Sequence, residues 1–306
     1  VLITDGYKNR LPKIINEIFS EQTWKMLKNK NNEICHHNPS GCKFNVTSDN
    51  KIYVIGDSNL ASLTFDLKNK VVEKNYQFIT FTYGGCVFLP GFDYISRKTE
   101  KVNKYCNDNF FQNLKKKLLK EKNQILIVGG RFPVYLNDYF FDNKEGGIEG
   151  GGVKANKPKF YYAPNGKYLN IQESFKNELL QLSKNHSIIL LYPLPEVGWK
   201  PNRKIFIERH NKFFKNSHFA DTSTSYQVYK DRSKTSFELF DSIKGDNIYR
   251  VYPHKLFCNT TIKDRCLTHD NKNIFYADYS HPSSKGAEMI NNEIIKKIEK
   301  IELKSN

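Results

Sequence analysis

The sequence predicts an α/β protein, a three-layer α/β/α sandwich around a mostly parallel sheet of five strands. Two observations carry that expectation. From residue 51 onward, short apolar runs of strand length alternate with longer amphipathic stretches, which is the rhythm of repeated βα units. Runs such as SIILLY at 187–192 are apolar throughout, as suits strands covered by helices on both faces. A chain of 306 residues, 39% hydrophobic and 26% charged, can build such a core; a domain of this size buries roughly three quarters of its unfolded surface.

The elements follow in order. Residues 1–48 read as an extension with a polar start, a helix over 11–29 and a loop carrying Cys35 and Cys42; the main domain spans 49–306. Strands are expected at 52–55, 78–82, 125–129, 187–192 and 247–252. Helices are expected near 60–74, 107–122, 171–185 and 202–243, the last broken around Ser217 to Thr224. The final helix starts at Ser283 or Ser284, either of which can cap it. Residues 136–169 break the rhythm. They carry GGIEGGG and the aromatic run Phe160, Tyr161, Tyr162 without helix or strand period, and read either as an insertion shaping a cleft or as an excursion with no role. Their glycines lack the strand-to-helix setting and the Gly-Lys-Ser/Thr ending of a phosphate loop.

Charge and cysteine content bound the partners. Lys and Arg number 48 against 32 Asp and Glu, a net +16, which first points to nucleic acid or an anionic surface. Only eight of the 48 are Arg, the residue that reads phosphates and base edges in a fork, and this weakens the nucleic-acid reading. Mean hydropathy is −0.63, and no apolar run approaches the roughly 18 residues of a membrane span. The first residue is Val1 and VLITDG has no signal-peptide pattern, so the chain reads as a piece of something longer. Six cysteines fall in three local pairs, Cys35/Cys42, Cys86/Cys106 and Cys258/Cys266, all between elements. That even count favours disulfides in an oxidising compartment, with six reduced thiols as the alternative. A zinc site at Cys35, His36, His37 and Cys42 has no second ligand pair at a matching spacing.

Two motifs can carry chemistry. At 51–60, KIYVIGDSNL runs a strand straight into Gly56-Asp57-Ser58 and a helix, the junction where open parallel sheets bind ligands. Ser58 there presents a hydroxyl beside backbone N–H groups able to hold an oxyanion, although Asp57 or Ser58 can equally be a plain helix cap. Asp278-Tyr279-Ser280-His281 stands immediately before the last helix. A nucleophilic serine needs an imidazole base whose tautomer a carboxylate holds, and Asp278 three residues before His281 can supply that support.

With both blocks present, residues 51–290 resemble the SGNH hydrolase superfamily, a flavodoxin-like fold. The chain is most similar to the SGNH domain fused to the C-terminus of bacterial acyltransferase family 3 membrane proteins, which O-acetylate cell-surface polysaccharides. ITDGYKNRLP at 3–12 looks like that family's linker from its last membrane helix. The pairs Cys35-Cys42, Cys86-Cys106 and Cys258-Cys266 look like its disulfides, and His281-Pro-Ser-Ser-Lys-Gly-Ala is similar to its His-Leu-Ser-x-x-Gly-Ala. The resemblance implies Ser58 as nucleophile, His281 as base and Asp278 as its support. It also implies a backbone oxyanion donor at Gly84 or Gly85. Two departures stand out: Asn59 after the Gly-Asp-Ser block, and Arg131 where the superfamily supplies an oxyanion Asn. Arg131 is expected at the edge of the site, either donating to the oxyanion or orienting a carboxylate.

The function so implied is acyl transfer, in the first place acetyl, to polysaccharide hydroxyls through an acyl-serine. The setting is the periplasmic or other extracytoplasmic face of the membrane, beside an N-terminal transmembrane acyltransferase domain. Acetyl-CoA is the ultimate donor for the whole protein, with no cofactor or metal in this domain and no nucleic-acid partner. An SGNH esterase acting on carbohydrate or lipid esters shares every catalytic residue. A third reading, non-enzymatic binding of an anionic polymer, requires the motifs to be accidental.

Overall fold

The computed structural model describes residues 24–149, 157–201, 204–205, 222–270 and 272–305. The main sheet holds β1 (Cys42–Phe44), β2 (Lys51–Gly56), β3 (Gln77–Thr82), β5 (Ile125–Gly129), β7 (Ser187–Leu191) and β9 (Ile248–Val251). Two ribbons stand apart from it, β4 (Phe92–Ser96) with β6 (Phe160–Pro164) and β8 (Ser223–Ser225) with β10 (Arg265–Leu267). The helices are α1 (Ser58–Ala61), α2 (Thr64–Glu73), α3 (Asp108–Leu119), α4 (Phe132–Asn137), α5 (Ile171–Leu182), α6 (Tyr226–Ser242), α7 (His254–Phe257) and α8 (Ser284–Ser305).

The sheet order is β1-β3-β2-β5-β7-β9, and every pairing from β3 to β9 is parallel. Strand β2 is therefore the point where the chain, having placed β3 on one side, crosses to build the rest on the other. The sheet has six strands where five were expected. The addition is β1, which pairs antiparallel with β3 through Cys42 opposite Thr80 and Phe44 opposite Phe78, so chain ahead of residue 49 belongs to the sheet. Three residues are too few for a periodic signal, which is why pattern reading passed over it.

Alternation along each strand feeds two cores. Ile52, Val54, Ile125, Ile127 and Ile189 face α2 and the Ile290, Ile294, Ile298 and Ile301 stripe of α8. Tyr53, Ile55, Leu126, Val128, Ile188 and Leu190 face Phe111, Leu114 and Leu118 of α3, Phe175 and Leu179 of α5, and Leu239 and Phe240 of α6. Both faces are covered, which is why these strands are apolar throughout. Asn107, Asn170 and Ser225 cap α3, α5 and α6 by accepting from Phe110, Glu173 and Val228 N–H groups. Ser283 Oγ accepts from Gly286 N–H at the start of α8.

Several expectations are corrected. The helix near 60–74 is two, α1 and α2, separated where the Ser62 and Thr64 hydroxyls bond back to the Asn59 and Ala61 carbonyls. Of the helix expected over 11–29, residues 24–29 are not helical; Asn29 Oδ1 instead accepts from the Asn31 and Glu33 N–H groups in a turn, and the rest lies outside the described residues. The 3–12 segment also lies outside them. Of the stretch 202–243, α6 is helical and β8 precedes it, while most of the remainder is outside the described residues. The 136–169 segment contains a strand, β6, whose half-buried aromatics pair with β4. Disulfides join Cys35 to Cys42, Cys86 to Cys106 and Cys258 to Cys266. Among the described residues no helix is long and apolar enough to cross a membrane.

Candidate active site

Strand β2 ends at Gly56 on the crevice that opens at the switch point of the sheet, where ligands of open α/β folds bind. The chain turns there at Asp57, whose Oδ1 caps α1 by accepting from Asn59 N–H at 2.8 Å. Its Oδ2 accepts from Arg131 N–H at 2.7 Å and from the Tyr135 hydroxyl. Burial pushes the Asp57 carboxyl up, against the pull of these donors, and burial beside Asp57 raises Tyr135 well above its ordinary value, so its phenol stays a donor. Asp57 thus ties the first turn of α1 to the end of β5 and fixes where Ser58 points.

Ser58 Oγ lies 2.8 Å from His281 Nε2. His281 Nδ1 lies 2.9 and 2.8 Å from the two Asp278 oxygens, and Asp278 Oδ1 also accepts from the Ser280 and His281 N–H groups at 3.0 and 2.9 Å. Burial works to raise Asp278, but its bond to His281, the charge of His281 and the two N–H groups outweigh it, and its carboxyl sits below the usual range. The loop bearing these residues is held by Val197 N–H donating to Tyr279 O at 2.7 Å and by Ala277 N–H donating to His281 O at 2.9 Å. The three side chains, from opposite ends of the sequence, are joined in one hydrogen-bonded series, an arrangement that can activate a serine.

Gly84 and Gly85 follow β3, the neighbour of β2. Gly85 has φ 71°, in the left-handed region that favours glycine, and a Cβ on it would strike Phe160. Tyr162 hydroxyl donates to Gly85 O at 2.7 Å and accepts from Val87 N–H at 3.0 Å, so β6 of the insertion braces this turn. The N–H groups of Ser58, Gly84 and Gly85 have no acceptor among the described residues.

The structure separates the two remaining expected site residues. Asn59 is 1% exposed and faces the interior, with its N–H spent on Asp57. The Arg131 guanidinium is taken up by two carboxylates: Nε bonds Glu196, Nη1 bonds Glu149, and Nη2 bonds both. Glu196 also accepts from Arg232 Nε at 3.1 Å. Despite burial, Arg131 and Arg232 hold Glu196 below the usual carboxylate range, and the two carboxylates raise Arg131. The position that sequence reading left between two roles is therefore a carboxylate clamp.

A family model described as an SGNH domain fused to AT3 domains matches residues 22–296. The chain belongs to this family. No curated protein matches the sequence. Among solved structures, this SGNH domain is similar to the periplasmic domain of a lipopolysaccharide acetyltransferase from Salmonella ser. Paratyphi A. The two share 15% identity over 95% of this chain and 98% of that one, with a TM-score of 0.54. It is also similar to a GDSL-like lipase from Bacteroides thetaiotaomicron at 12% identity over 82% of this chain and 88% of that one, with a TM-score of 0.35. At 15% identity the likeness to the acetyltransferase domain is one of fold.

The SGNH domain adds ring side chains that the motifs did not mark. Trp24 packs its ring 4.8 Å from that of His281 and 5.8 Å from His36; His36 lies 4.1 Å from His37, and His37 lies 4.3 Å from Tyr83. Cys35 and Cys42, set aside above as zinc ligands, are joined to each other and close the short loop that carries both histidines. The His-His doublet beside a cysteine was the available signal for this loop, and the GGIEGGG and Phe160-Tyr161-Tyr162 runs for Glu149 and Tyr162; nothing local marked Trp24, Tyr135 or Glu196.

Proposed function

We propose that the domain transfers an acyl group, acetyl in the first place, to hydroxyls of a cell-surface polysaccharide through an acyl-serine on Ser58. The observation that carries this reading is the 2.8 Å contact of Ser58 Oγ with His281 Nε2, backed by Asp278 on Nδ1. His281 takes the Ser58 proton as Oγ attacks the donor carbonyl, then returns it to the leaving group. The Ser58 and Gly85 N–H groups, without acceptors of their own among the described residues, face the developing oxyanion. An acceptor hydroxyl, deprotonated in turn by His281, takes the acyl group from Ser58.

Family membership and the likeness to a lipopolysaccharide acetyltransferase domain support a saccharide acceptor and an extracytoplasmic setting, and the three disulfides support that setting too. An AT3 membrane domain is the partner that delivers the acyl group, originally from acetyl-CoA, so no CoA site is required here. Hydrolysis is the same chemistry with water as acceptor; Ser58 and His281 are both partly open to solvent, which favours that second outcome when no saccharide is bound.

Purified domain is expected to release acetate from an activated aryl acetate, and Ser58→Ala to abolish the release. Equal turnover by the variant would sink the serine mechanism. Adding candidate glycans and following acetyl groups by mass spectrometry separates transfer from hydrolysis.

A further inference from the structure

In the transfer step an acceptor hydroxyl must reach His281 Nε2, the atom that holds Ser58 Oγ at 2.8 Å, so the sugar that bears it rests on the side chains around the imidazole. Trp24 is such a side chain. Its ring lies 4.8 Å from that of His281, centroid to centroid and tilted by 50°, and it is only half-buried. From Trp24 the ring contacts continue as a row: His36 at 5.8 Å, His37 at 4.1 Å from His36, Tyr83 at 4.3 Å from His37 and Tyr105 at 6.2 Å from Tyr83. His37 is exposed and the other four are half-buried, so none of the five belongs to the core. The row is held from below: the Cys35–Cys42 disulfide closes the histidine loop, His37 N–H donates to Thr82 O at 2.9 Å, and Cys106 beside Tyr105 is bonded to Cys86. The Cys35–Cys42 loop lays both histidines over the Gly84 turn, where a Cβ on Gly84 would lie 3.0 Å from His37 Cε1 and 3.8 Å from His36 Nε2.

A contiguous row of partly exposed rings beside a reactive group marks a ligand surface, as apolar residues scattered singly do not. Each ring here joins an apolar face to a polar tip: the ring nitrogens of Trp24 and the two histidines, and the hydroxyls of Tyr83 and Tyr105. A pyranose has the matching form, a face of C–H bonds edged by hydroxyls. Asn103 Nδ2 donates to the Tyr83 hydroxyl at 3.3 Å, and Lys104 Nζ stands 4.4 Å from the Tyr105 ring centroid, so the far end of the row is polar. We propose that the row from Trp24 to Tyr105 is the acceptor subsite, binding several consecutive sugars of the polysaccharide with Trp24 against the one to be acylated. An acyl tail would need an enclosed apolar pocket, and a single sugar would cover little beyond Trp24; a row of rings open along its length fits a chain. When the acceptor attacks, its oxygen forms the new bond to the acyl carbon and its proton passes to His281, while the acyl carbon–Oγ bond breaks and His281 returns the proton to Oγ. Trp24 takes no proton. It acts by holding the acceptor hydroxyl at Nε2 in place of water.

The inference rests on the acyl-transfer reading. Its test uses an aryl acetate as donor and, as acceptor, surface polysaccharide from cells that carry the protein, stripped of ester acetyl with mild alkali and cut into fragments of graded length. Released acetate and transferred acetyl both come from one acyl-serine, so their ratio does not depend on how much of a variant is folded. In the wild type the ratio of transfer to hydrolysis should rise with fragment length. Trp24→Ala should lower it about tenfold at every length, while Trp24→Phe, which keeps a ring, should stay within about threefold of wild type. His37→Ala should lower it about threefold for the longest fragments and progressively less for shorter ones, the pattern of an outlying contact. That variant decides the matter should Trp24→Ala show no turnover. A Trp24→Ala ratio within about twofold of wild type overturns this inference and leaves acyl transfer standing, as does a His37→Ala loss equal at all lengths. Hydrolysis without any transfer by the wild type, abolished in Ser58→Ala, overturns the transfer reading and this inference together and keeps the serine mechanism.

Discussion

In the proposed mechanism Asp278 sets which nitrogen of His281 is free to act as base. With the carboxylate on Nδ1, that nitrogen keeps its proton and Nε2 presents a lone pair to Ser58 at 2.8 Å. An amide at 278 offers an N–H toward Nδ1 and favours the opposite tautomer, so Asp278→Asn should cut kcat for aryl acetate by roughly 10⁴-fold with the fold intact. A loss under tenfold would show that Asp278 does not set the tautomer. Ser58, Asp278 and His281 were legible in the sequence because a serine at a strand-to-helix turn and an Asp-x-x-His loop are local patterns. His36 was visible only as one of two adjacent histidines beside a cysteine, and its bearing on the site comes from the Cys35–Cys42 closure and contact with Trp24. Arg131 shows the reverse: its position in the chain pointed to the site, while its partners Glu149 and Glu196, 18 and 65 residues away, take up its guanidinium.

At the scale of elements, the site is assembled from strand ends and braced from the insertion. Strand β6 sends Tyr162 to the Gly85 carbonyl, and Glu149 reaches Arg131 after β5. Glu196, in the segment after β7, joins Arg131 to Arg232 of α6. The Glu196 side chain is 3% exposed and Arg131 13%, so removing the charge at 196 leaves buried guanidinium groups short of a partner. Glu196→Gln is expected to cost on the order of 3–5 kcal/mol in urea unfolding; a change below about 1 kcal/mol would mean that the clamp is not a stabilising unit. The parallel strands and α8 were readable because their apolar residues repeat with a fixed period. Strands β1 and β6 were not, since one is three residues long and the aromatics of the other are all partly buried, with no alternation to read.

For the molecule as a whole, buried histidines govern the response to acid. Burial lowers His36 to about 3 and His254 to about 4, and lowers His186 as well. The unfolded chain protonates these rings near pH 6.5 while the folded one does not, so the unfolded state binds more protons below that pH. Stability is then lost as pH falls from about 6.5 toward 4. Glu196 and Asp278, lowered in the fold, add to the loss at still lower pH, while Asp57, raised, works the opposite way as pH rises through its folded value. The thermal midpoint should drop by about 5 °C or more between pH 7 and pH 4.5; equal midpoints would contradict the burial of these rings. The net charge of +16 suits a neighbouring anionic surface such as a lipid headgroup layer or an acidic glycan. The layered α/β core and the Ser58, Asp278 and His281 blocks are legible in the chain alone, since apolar period and local motif are properties of neighbouring residues. That Arg131 clamps carboxylates, that Asn59 is buried, and that the Cys35–Cys42 loop brings His36 over Gly84 emerges with the folded arrangement. Those outcomes depend on which distant side chains come within hydrogen-bond or ring contact once the sheet is closed, and no local pattern encodes that distance.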